Sequence, residues 1–429
     1  MRRSIKIAAV LAAGAMTLTA CSGGGGGAAS GDLEARGDIT IWYSNNEGEI
    51  EWGKQMVEAW NADHPDEQVK AQEIPAGDSS EAVISAAITA GNAPCLIFNT
   101  SPAAVPQFEK AGGLVSLSSF PDGDDYITAR SGDNAAQYAS ADGEFYQMPW
   151  KSNPVVIFYN KAMFTAAGLD PEAPALSTYD EFLDTARTLT ESGAAPYAIY
   201  PSPASQFFQS WFDFYPLYAA ETGGTLLVED GTATFDSDAG TAVSEFWATM
   251  YDEGLAGQEE FNGDSFVAGN SAMTIAGPWA IDYFGEDVDW GTVPVPTSAG
   301  TSPEETYTFS DAKNVGLFTA CESKGTAWDV LKFATSQEQD GQLLEITGQM
   351  PLRQDLPAAY PDFFAANPAF EVFGDQANRV VEVPNVANSI EVWQTFRDAY
   401  SKAVIFGEGE IPAFLTDTAA KVDDLVAQG

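Results

Sequence analysis

Positive charge is scarce in this chain: 19 of its 429 residues are Lys or Arg, against 62 Asp or Glu, and the formal net charge is −43. A surface this acidic repels phosphate backbones, so the composition argues against nucleic-acid binding and favours a soluble monomer. Histidine is scarcer still, because His64 is the only one. Ser-His-Asp and Cys-His catalysis are therefore excluded unless His64 serves in them, while chemistry with carboxylates alone stays open.

Long apolar segments are also absent. The one apolar run, residues 7–20, follows a basic start and is too short to span a bilayer as a mature helix. It ends at Leu18-Thr19-Ala20-Cys21, which resembles a bacterial lipobox, where the signal is cut before a cysteine that receives acyl chains. This predicts a signal peptide over 1–20 and a lipid anchor at Cys21 on the extracellular face of the membrane; a plain secretory signal is the alternative. The Gly-rich residues 21–37 predict a flexible tether.

The body of the chain alternates strand and helix patterns. Its length exceeds what one hydrophobic core usually supports, which favours two domains. An early βαβαβ run predicts a parallel α/β layer whose ligands would lie beyond the carboxyl ends of the strands, near residues 44–47 and 99–101. The predicted strands are 38–44, 68–74, 95–98 and 314–318, and the predicted helices include 47–61, one ending at Gly91, 326–336 and 389–399. The pattern fits two lobes, each assembled from separated parts of the chain.

Six short phrases spread over the body are similar to those of one protein family. They are GNAP (91–94), MPW with IFYNK (148–150 and 157–161), YDEF (179–182), GPW (277–279), AWDVLKFATS (327–336) and GQMPLR (348–353). In this order they resemble the bacterial extracellular solute-binding proteins of family 1, which include maltodextrin-binding proteins and deliver sugars to ABC importers. One departure is Cys95, where the family often has Asp.

The resemblance implies an α/β fold of the two-lobed periplasmic-binding-protein type (type II), each lobe a sheet flanked by helices, with the ligand cleft between them. The first lobe would comprise 38–150 and 311–350, and the second 151–310 and 351–429. The implied function is capture of an oligosaccharide, without catalysis or a cofactor, for the permease subunits of an ABC importer. The acidic field favours a neutral sugar. A carboxylate-pair glycosidase, or a receptor for another solute such as a peptide or polyol, remains an alternative.

Aromatic faces and planar polar side chains hold neutral sugars. The Gly-Pro turn before Trp279 would expose its ring, and the resemblance places that ring on the sugar. Residues 206–214 predict a helix with rings on nearly all sides. Further candidates at strand ends, lobe crossings and family positions are Asn46, Glu47, Asn99, Thr100, Lys151, Gln206, Trp211, Asp311, Arg353 and Trp393. Structural alternatives stay open for most of these residues. Asn46 and Glu47 could cap a helix, and Trp211 and Trp393 could pack in a core or between the lobes. Lys151 and Arg353 could form ion pairs, and Asp311 could be a solvated surface carboxylate.

Two cysteines remain in the body, Cys95 and Cys321. In an oxidising compartment such a pair invites a disulfide. The resemblance makes the strands beside them neighbours in the first lobe and so implies a Cys95–Cys321 bridge; two buried thiols are the alternative. No metal is expected, because Asp122-Gly123-Asp124-Asp125 lacks the spaced ligands of a calcium loop and no recognisable zinc site remains.

Overall fold

The computed structural model describes residues 33–429 except Asn45, Asp78, Glu286 and Asp287. The predicted signal peptide, the lipidation site Cys21 and residues 21–32 of the predicted tether lie outside the described residues.

A five-stranded sheet with strand order β2-β1-β3-β12-β4 forms the centre of the first lobe. Its strands are β1 (Ile39–Tyr43), β2 (Val69–Glu73), β3 (Leu96–Thr100), β4 (Met148–Lys151) and β12 (Lys313–Leu317). β1 is parallel to β2 and β3, which confirms the predicted βαβαβ run, whereas β12 is antiparallel to β3 and β4. β3 is almost wholly buried, as expected for a strand covered on both faces.

A four-stranded sheet with strand order β10-β5-β9-β6 forms the centre of the second lobe. Its strands are β5 (Val156–Asn160), β6 (Tyr197–Ile199), β9 (Ser271–Ala276) and β10 (Trp290–Val293). β5 is antiparallel to β9 and β10, and β6 is parallel to β9. Two short pairs lie outside the sheets: β7 (Val228–Glu229) with β8 (Thr232–Ala233), and β11 (Thr308–Phe309) with β13 (Val380–Val381).

Helices flank both sheets. They are α1 (Glu47–Asp63), α2 (Ser80–Ala90), α3 (Val105–Lys110), α4 (Gly123–Ser131), α5 (Lys161–Ala166), α6 (Tyr179–Glu191), α7 (Phe214–Thr222), α8 (Asp238–Asp252), α9 (Ala280–Phe284), α10 (Lys324–Ala334), α11 (Gln337–Thr347), α12 (Leu356–Ala359), α13 (Pro361–Ala366), α14 (Glu371–Gln376), α15 (Ser389–Tyr400) and α16 (Ile411–Ala427). Their ends follow local chemistry: Ser79 caps α2, Gly91 ends it in the left-handed conformation, and Thr178 with Glu181 forms a capping box at α6.

Each lobe has a hydrophobic core of its own. In the first lobe the rings of Trp52 and Trp150 are both buried and lie 5.2 Å apart. In the second lobe the buried rings of Tyr215 and Trp393 lie 4.9 Å apart. Two helix-flanked sheets with separate cores confirm the predicted two-lobed α/β class.

The chain crosses between the lobes in neighbouring extended segments. Pro154 and Ser310 form an antiparallel bridge, and Lys151 forms another with Pro351. The hydroxyl oxygens of Ser152 and Ser310 lie 2.9 Å apart. Because β4 belongs to the first sheet and β5 to the second, these segments join the two lobes.

The N-terminal part of the body is longer than predicted. Leu33 packs against the first-lobe core, and Arg36 forms ion pairs with Glu67 and Asp329 at 3.2 and 2.6 Å. Residues 33–37 therefore pack on the body, although the predicted tether extended to residue 37. The helices of the described residues all lack the combination of length and apolarity that crossing a bilayer requires.

Cys95 and Cys321 form a disulfide, the pairing that the resemblance implied. The two cysteines are 226 residues apart in sequence and lie beside the paired strands β3 and β12. The bridge therefore joins two distant parts of the chain within the first lobe.

Candidate functional site

In each sheet, two neighbouring parallel strands end at the same edge, and loops follow them there. In the first lobe β1 and β3 lead into residues 44–49 and 99–101, and in the second β6 and β9 lead into 200–208 and 277–279. Ligands of α/β sheets bind beyond such carboxyl ends. The lobes approach each other here, since a Cβ atom on Gly348 would lie 3.9 Å from the carbonyl oxygen of Pro278.

A buried polar cluster lies at the first-lobe edge. The Nζ atom of Lys151 donates to Glu49 Oε1 at 2.5 Å, to Gln349 Oε1 at 2.8 Å and to Asn99 Oδ1 at 3.1 Å. These three acceptors use all three donors of the ammonium group, and Lys151 is only 1% exposed. The prediction that Lys151 donates to a sugar hydroxyl therefore needs correction: in this structure Lys151 organises the cluster.

The electrostatics of the cluster follow from burial and charge pairing. Burial opposes ionisation of Glu49, but the charge and hydrogen bond of Lys151 outweigh it, so the pKa of Glu49 lies below its usual value. Burial also lowers the pKa of Lys151, against the opposing effect of Glu49. The Nε2 atom of Gln349 adds a hydrogen bond of 2.7 Å to Glu49 Oε1. Each charge is thus balanced by the other and not by water.

The loop after β1 places its two candidates at the start of α1. Asn46 Oδ1 accepts from the backbone N–H groups of Gly48 and Glu49 at 3.1 and 3.3 Å, which is the capping role that Asn performs well. Glu47 follows in the first turn, and both side chains are exposed. Neither joins the buried cluster.

The end of β3 separates its two candidates. Asn99 adopts a left-handed backbone with φ 61°, and its amide donates to Ser44 Oγ at 3.2 Å while accepting from Lys151. Thr100 points the other way: it is 3% exposed and donates to the carbonyl oxygen of Asn314 at 2.9 Å. Thr100 therefore ties β3 to β12, so its predicted role as a ligand contact is corrected to a structural one, and only Asn99 belongs to the cluster.

The two candidates at the lobe crossings form ion pairs. Asp311 accepts from Lys313 at 2.5 Å with 19% of its side chain exposed. Arg353 donates to the buried carboxylate of Asp340 at 2.8 Å. Arg353 thus takes the structural alternative, while Asp311 remains partly accessible at the crossing.

A half-buried aromatic pair lies at the second-lobe edge. The ring of Trp279 folds over its own turn, since a Cβ atom on Gly277 would lie 2.0 Å from Trp279 Cζ3. Phe212 meets Trp279 edge to face, with ring centroids 6.2 Å apart and an angle of 86° between the planes. Both rings keep some exposure, which leaves aromatic surface for a ligand.

The other two predicted tryptophans lie behind this pair. Trp211 is 4% exposed and Trp393 is fully buried, and their rings meet edge to face at 5.8 Å. Both also contact the ring of Tyr215 or Phe309 in the second-lobe core. The prediction that Trp211 and Trp393 contact ligand is therefore corrected to core packing, because no face of either ring is open.

Gln206 lines a cavity at the carboxyl end of β6. The cavity has a volume of about 380 Å³, and its walls include Tyr200, Ser202, Ala204, Phe261 and Asp264. Residues 206–214, predicted as one helix, instead form an irregular turn, a 3₁₀ turn over Gln209–Phe212 and the start of α7. Asp213, at φ −136° and ψ −77°, ends the turn and caps α7 through the N–H of Phe214, which breaks the helix.

A second cavity of about 380 Å³ lies between the lobes. The first lobe contributes α3 and Ser140, and the second contributes residues 385–391 at the start of α15. None of the sequence candidates lines it. It shows that the lobes leave interlobe space beside the segments that connect them.

Three residues of the site lack a local sequence signal. Glu49 occupies the first turn of a helix, where acidic residues are common, and Gln349 reaches it from 300 residues away. Phe212 sits in a segment whose rings all look alike in sequence. The Gly-Pro turn singles out Trp279 in the sequence, but no such signal points to the neighbouring ring of Phe212.

The comparisons define the class of protein. The family profile described as bacterial extracellular solute-binding protein matches residues 45–341, so the chain belongs to this family.

Among its relatives are the diacetylchitobiose-binding protein DasA of Streptomyces coelicolor, 26% identical over 99% of this chain and 97% of DasA, and the maltodextrin-binding protein MdxE of Bacillus subtilis, 24% identical over 71% of both. The fold matches the cyclic α-maltosyl-1,6-maltose-binding protein of Arthrobacter globiformis, with a TM-score of 0.79 at 22% identity over 92% of this chain and 100% of that one. The chain therefore has the type II periplasmic-binding-protein fold.

Proposed function

We propose that this protein is the substrate-binding lipoprotein of an ABC importer, which captures a neutral oligosaccharide between its lobes and delivers it to the permease subunits. The observation that carries the proposal is the half-buried pair Phe212–Trp279 at the strand ends of the second lobe in a member of this family. Such rings pack on the C–H faces of pyranoses. The names of the relatives, which bind diacetylchitobiose and maltodextrin, support an oligosaccharide.

The proposed contacts come from both lobes. Trp279 and Phe212 would stack on the sugar, Gln206 would bond its hydroxyls from the cavity that it lines, and Asn99 would face it from the first-lobe cluster. Asn46, Glu47 and Asp311 keep accessible polar atoms and stay secondary candidates. Closure of the lobes about their crossing segments would exclude water from the bound sugar.

The test is isothermal titration of the mature protein with maltotetraose, N,N′-diacetylchitobiose and arabinotriose, followed by chromatography of the recovered sugar. We expect saturable binding of at least one sugar, recovered intact. Trp279→Ala should raise its Kd about tenfold, which corresponds to the loss of one stacking contact. Trp290→Ala is the matched control, because Trp290 is also half-buried in the second lobe but lies on the edge strand β10. Cleaved sugar would indicate a glycosidase, and no binding would favour a peptide or polyol receptor.

The proposed anchor is an acylated Cys21. Mass spectrometry of the mature N-terminus should find acyl chains on Cys21, and Cys21→Ser should release the protein from membranes into the medium. An unmodified mature N-terminus would identify a plain secretory signal instead. We further propose that the receptor is monomeric, as its charge of −43 favours; light scattering with the sugar-loaded protein checks this.

A further inference from the structure

One wall of the second-lobe cavity is a loop that Arg397 of α15 holds by hydrogen bonds. Residues 201–206 have no regular secondary structure, yet Ser202, Ala204 and Gln206 line the cavity. Arg397 in α15 donates from Nη2 to the carbonyl oxygen of Ser202 at 2.7 Å and from Nε to that of Ala204 at 3.0 Å. Its third bond, from Nη1 to Asp213 Oδ2 at 2.6 Å, reaches the other end of the same segment.

Neighbouring positions of α15 add to this hold. Gln394 and Asp398 are four residues apart and therefore lie on the same face of the helix, where Gln394 donates to Asp398 at 2.8 Å. Gln394 Nε2 donates to the carbonyl oxygen of Ser205 at 3.0 Å, and the Ser205 hydroxyl donates to Asp398. Side chains of one helix thus bond the backbone or side chain of three residues of the loop, Ser202, Ala204 and Ser205.

The charge of Arg397 is balanced where it lies. Arg397 and Asp213 are both fully buried. Burial disfavours the charged guanidinium, but the Asp213 carboxylate outweighs it, so the pKa of Arg397 lies above its usual value. The planar guanidinium directs separate N–H groups at three acceptors, which the single ammonium of a lysine cannot reproduce.

We propose that Arg397 is a positioning residue of the ligand site, fixing residues 202–213 so that Gln206 and Phe212 meet the bound sugar. Arg397 cannot touch the sugar itself, because none of its surface is open. Asp213 links the arginine to the aromatic residues, because it follows Phe212 directly and its side chain accepts from the backbone N–H of Phe214 at the start of α7. Asp213 therefore fixes where the turn ends and how the ring of Phe212 is oriented. The inference rests on the proposed function for the identity of the ligand, but not for the ordering of the loop.

The first experiment needs no sugar. Hydrogen–deuterium exchange of Arg397→Lys is compared with that of the parent protein and of Leu189→Ala, a fully buried core change on α6 that also destabilises the second lobe. We expect exchange in peptides covering 200–208 to rise at least tenfold in Arg397→Lys and to stay near the parent rate in Leu189→Ala. Equal rates in all three proteins, or an equal rise in both variants, would overturn the proposal.

The second experiment separates position from stability. Arg397→Lys keeps a cation opposite Asp213, so its Tm should exceed that of Arg397→Met, while the loop exchanges fast in both. Titration with the tightest binder among maltotetraose, N,N′-diacetylchitobiose and arabinotriose should give a Kd raised about tenfold in Arg397→Lys and unchanged in Leu189→Ala. A Kd that follows Tm across these variants would show a merely structural arginine.

A milder variant covers the case in which Arg397 variants do not fold. Gln394→Ala leaves the ion pair intact and removes one bond to the loop, so exchange should rise about threefold in peptides containing Ser205 alone. No change there would count against the hold by α15. If the loop responds as expected and none of the three sugars binds the parent protein, the positioning claim stands and the proposed oligosaccharide function fails.

Discussion

The buried pair Glu49–Lys151 should behave as one energetic unit. Only 4% of the Glu49 side chain and 1% of the Lys151 side chain are exposed, so water cannot replace a lost partner. Lys151→Met leaves the Glu49 carboxylate without a countercharge, and breaking such a pair costs about 3–5 kcal/mol of unfolding free energy. Glu49→Leu strands the ammonium at a similar cost. In the double variant both charges are gone, and the remaining loss is the unpaired amides of Gln349 and Asn99, about 1–3 kcal/mol each.

Urea denaturation at pH 7 of the parent protein, Lys151→Met, Glu49→Leu and the double variant measures the coupling energy of the pair as a double-mutant cycle. The two single losses together amount to about 6–10 kcal/mol and the double loss to about 2–6 kcal/mol, so the sum of the single losses should exceed the double loss by about 4 kcal/mol. The matched control is Arg187→Met, which breaks the surface pair with Glu253, where side-chain exposures of 37% and 39% predict a loss of about 0–1 kcal/mol. Losses that add to within about 0.5 kcal/mol would refute the coupling, and with it the view that Lys151 serves the cluster and not a ligand.

Three further predictions test the buried carboxyl group of Glu382, the disulfide and the aromatic turn. Burial raises the pKa of Glu382 to about 8 from a usual 4.5, so between these pH values the folded state holds a proton that the unfolded chain has released, and the unfolding free energy falls as pH rises. Urea denaturation at several pH values should show this fall in the parent protein and a smaller one in Glu382→Gln. The same pH dependence in both proteins would contradict the raised pKa of Glu382. The double variant Cys95→Ser, Cys321→Ser should lower the unfolding free energy measured by calorimetry by about 2–5 kcal/mol. The parent protein reduced with dithiothreitol should show the same loss. A loss of less than about 1 kcal/mol would count against a stabilising disulfide. Gly277→Ala pushes the new Cβ into the Trp279 ring, so sugar Kd should rise at least fivefold with a shifted tryptophan emission, and an unchanged emission contradicts the packing.

Local sequence patterns accounted for much of the first lobe. The strand beginning at Ile39 follows from a β-branched and aromatic run, the strand beginning at Leu96 follows from an apolar run, and their parallel pairing follows from the crossovers between them. The antiparallel addition of β12 did not follow from any local pattern, because its partner β3 lies more than 200 residues earlier. Only the family phrases pointed to that contact and to the disulfide beside it.

The site was predicted in part for the same reason. Asn99 could be found because the end of a buried parallel strand is a place where ligands bind, and the structure puts it in the polar cluster. Lys151 could be singled out, but its role could not, since that depends on Glu49 and Gln349, which approach only after folding. A cation in an acidic chain has many possible partners, and sequence does not say which of them it meets.

The aromatic residues show most clearly where pattern reasoning ends. One helix through 206–214 would leave the rings of Trp211 and Phe212 undistinguished, because both lie in a run with rings on nearly all sides. The structure breaks that helix at Asp213, whose carboxylate is held by an arginine 184 residues further along the chain. The break turns Trp211 into the core against Trp393 and leaves Phe212 beside Trp279. We therefore expect the buried charge pair Asp213–Arg397 to determine which of these two rings keeps exposed surface.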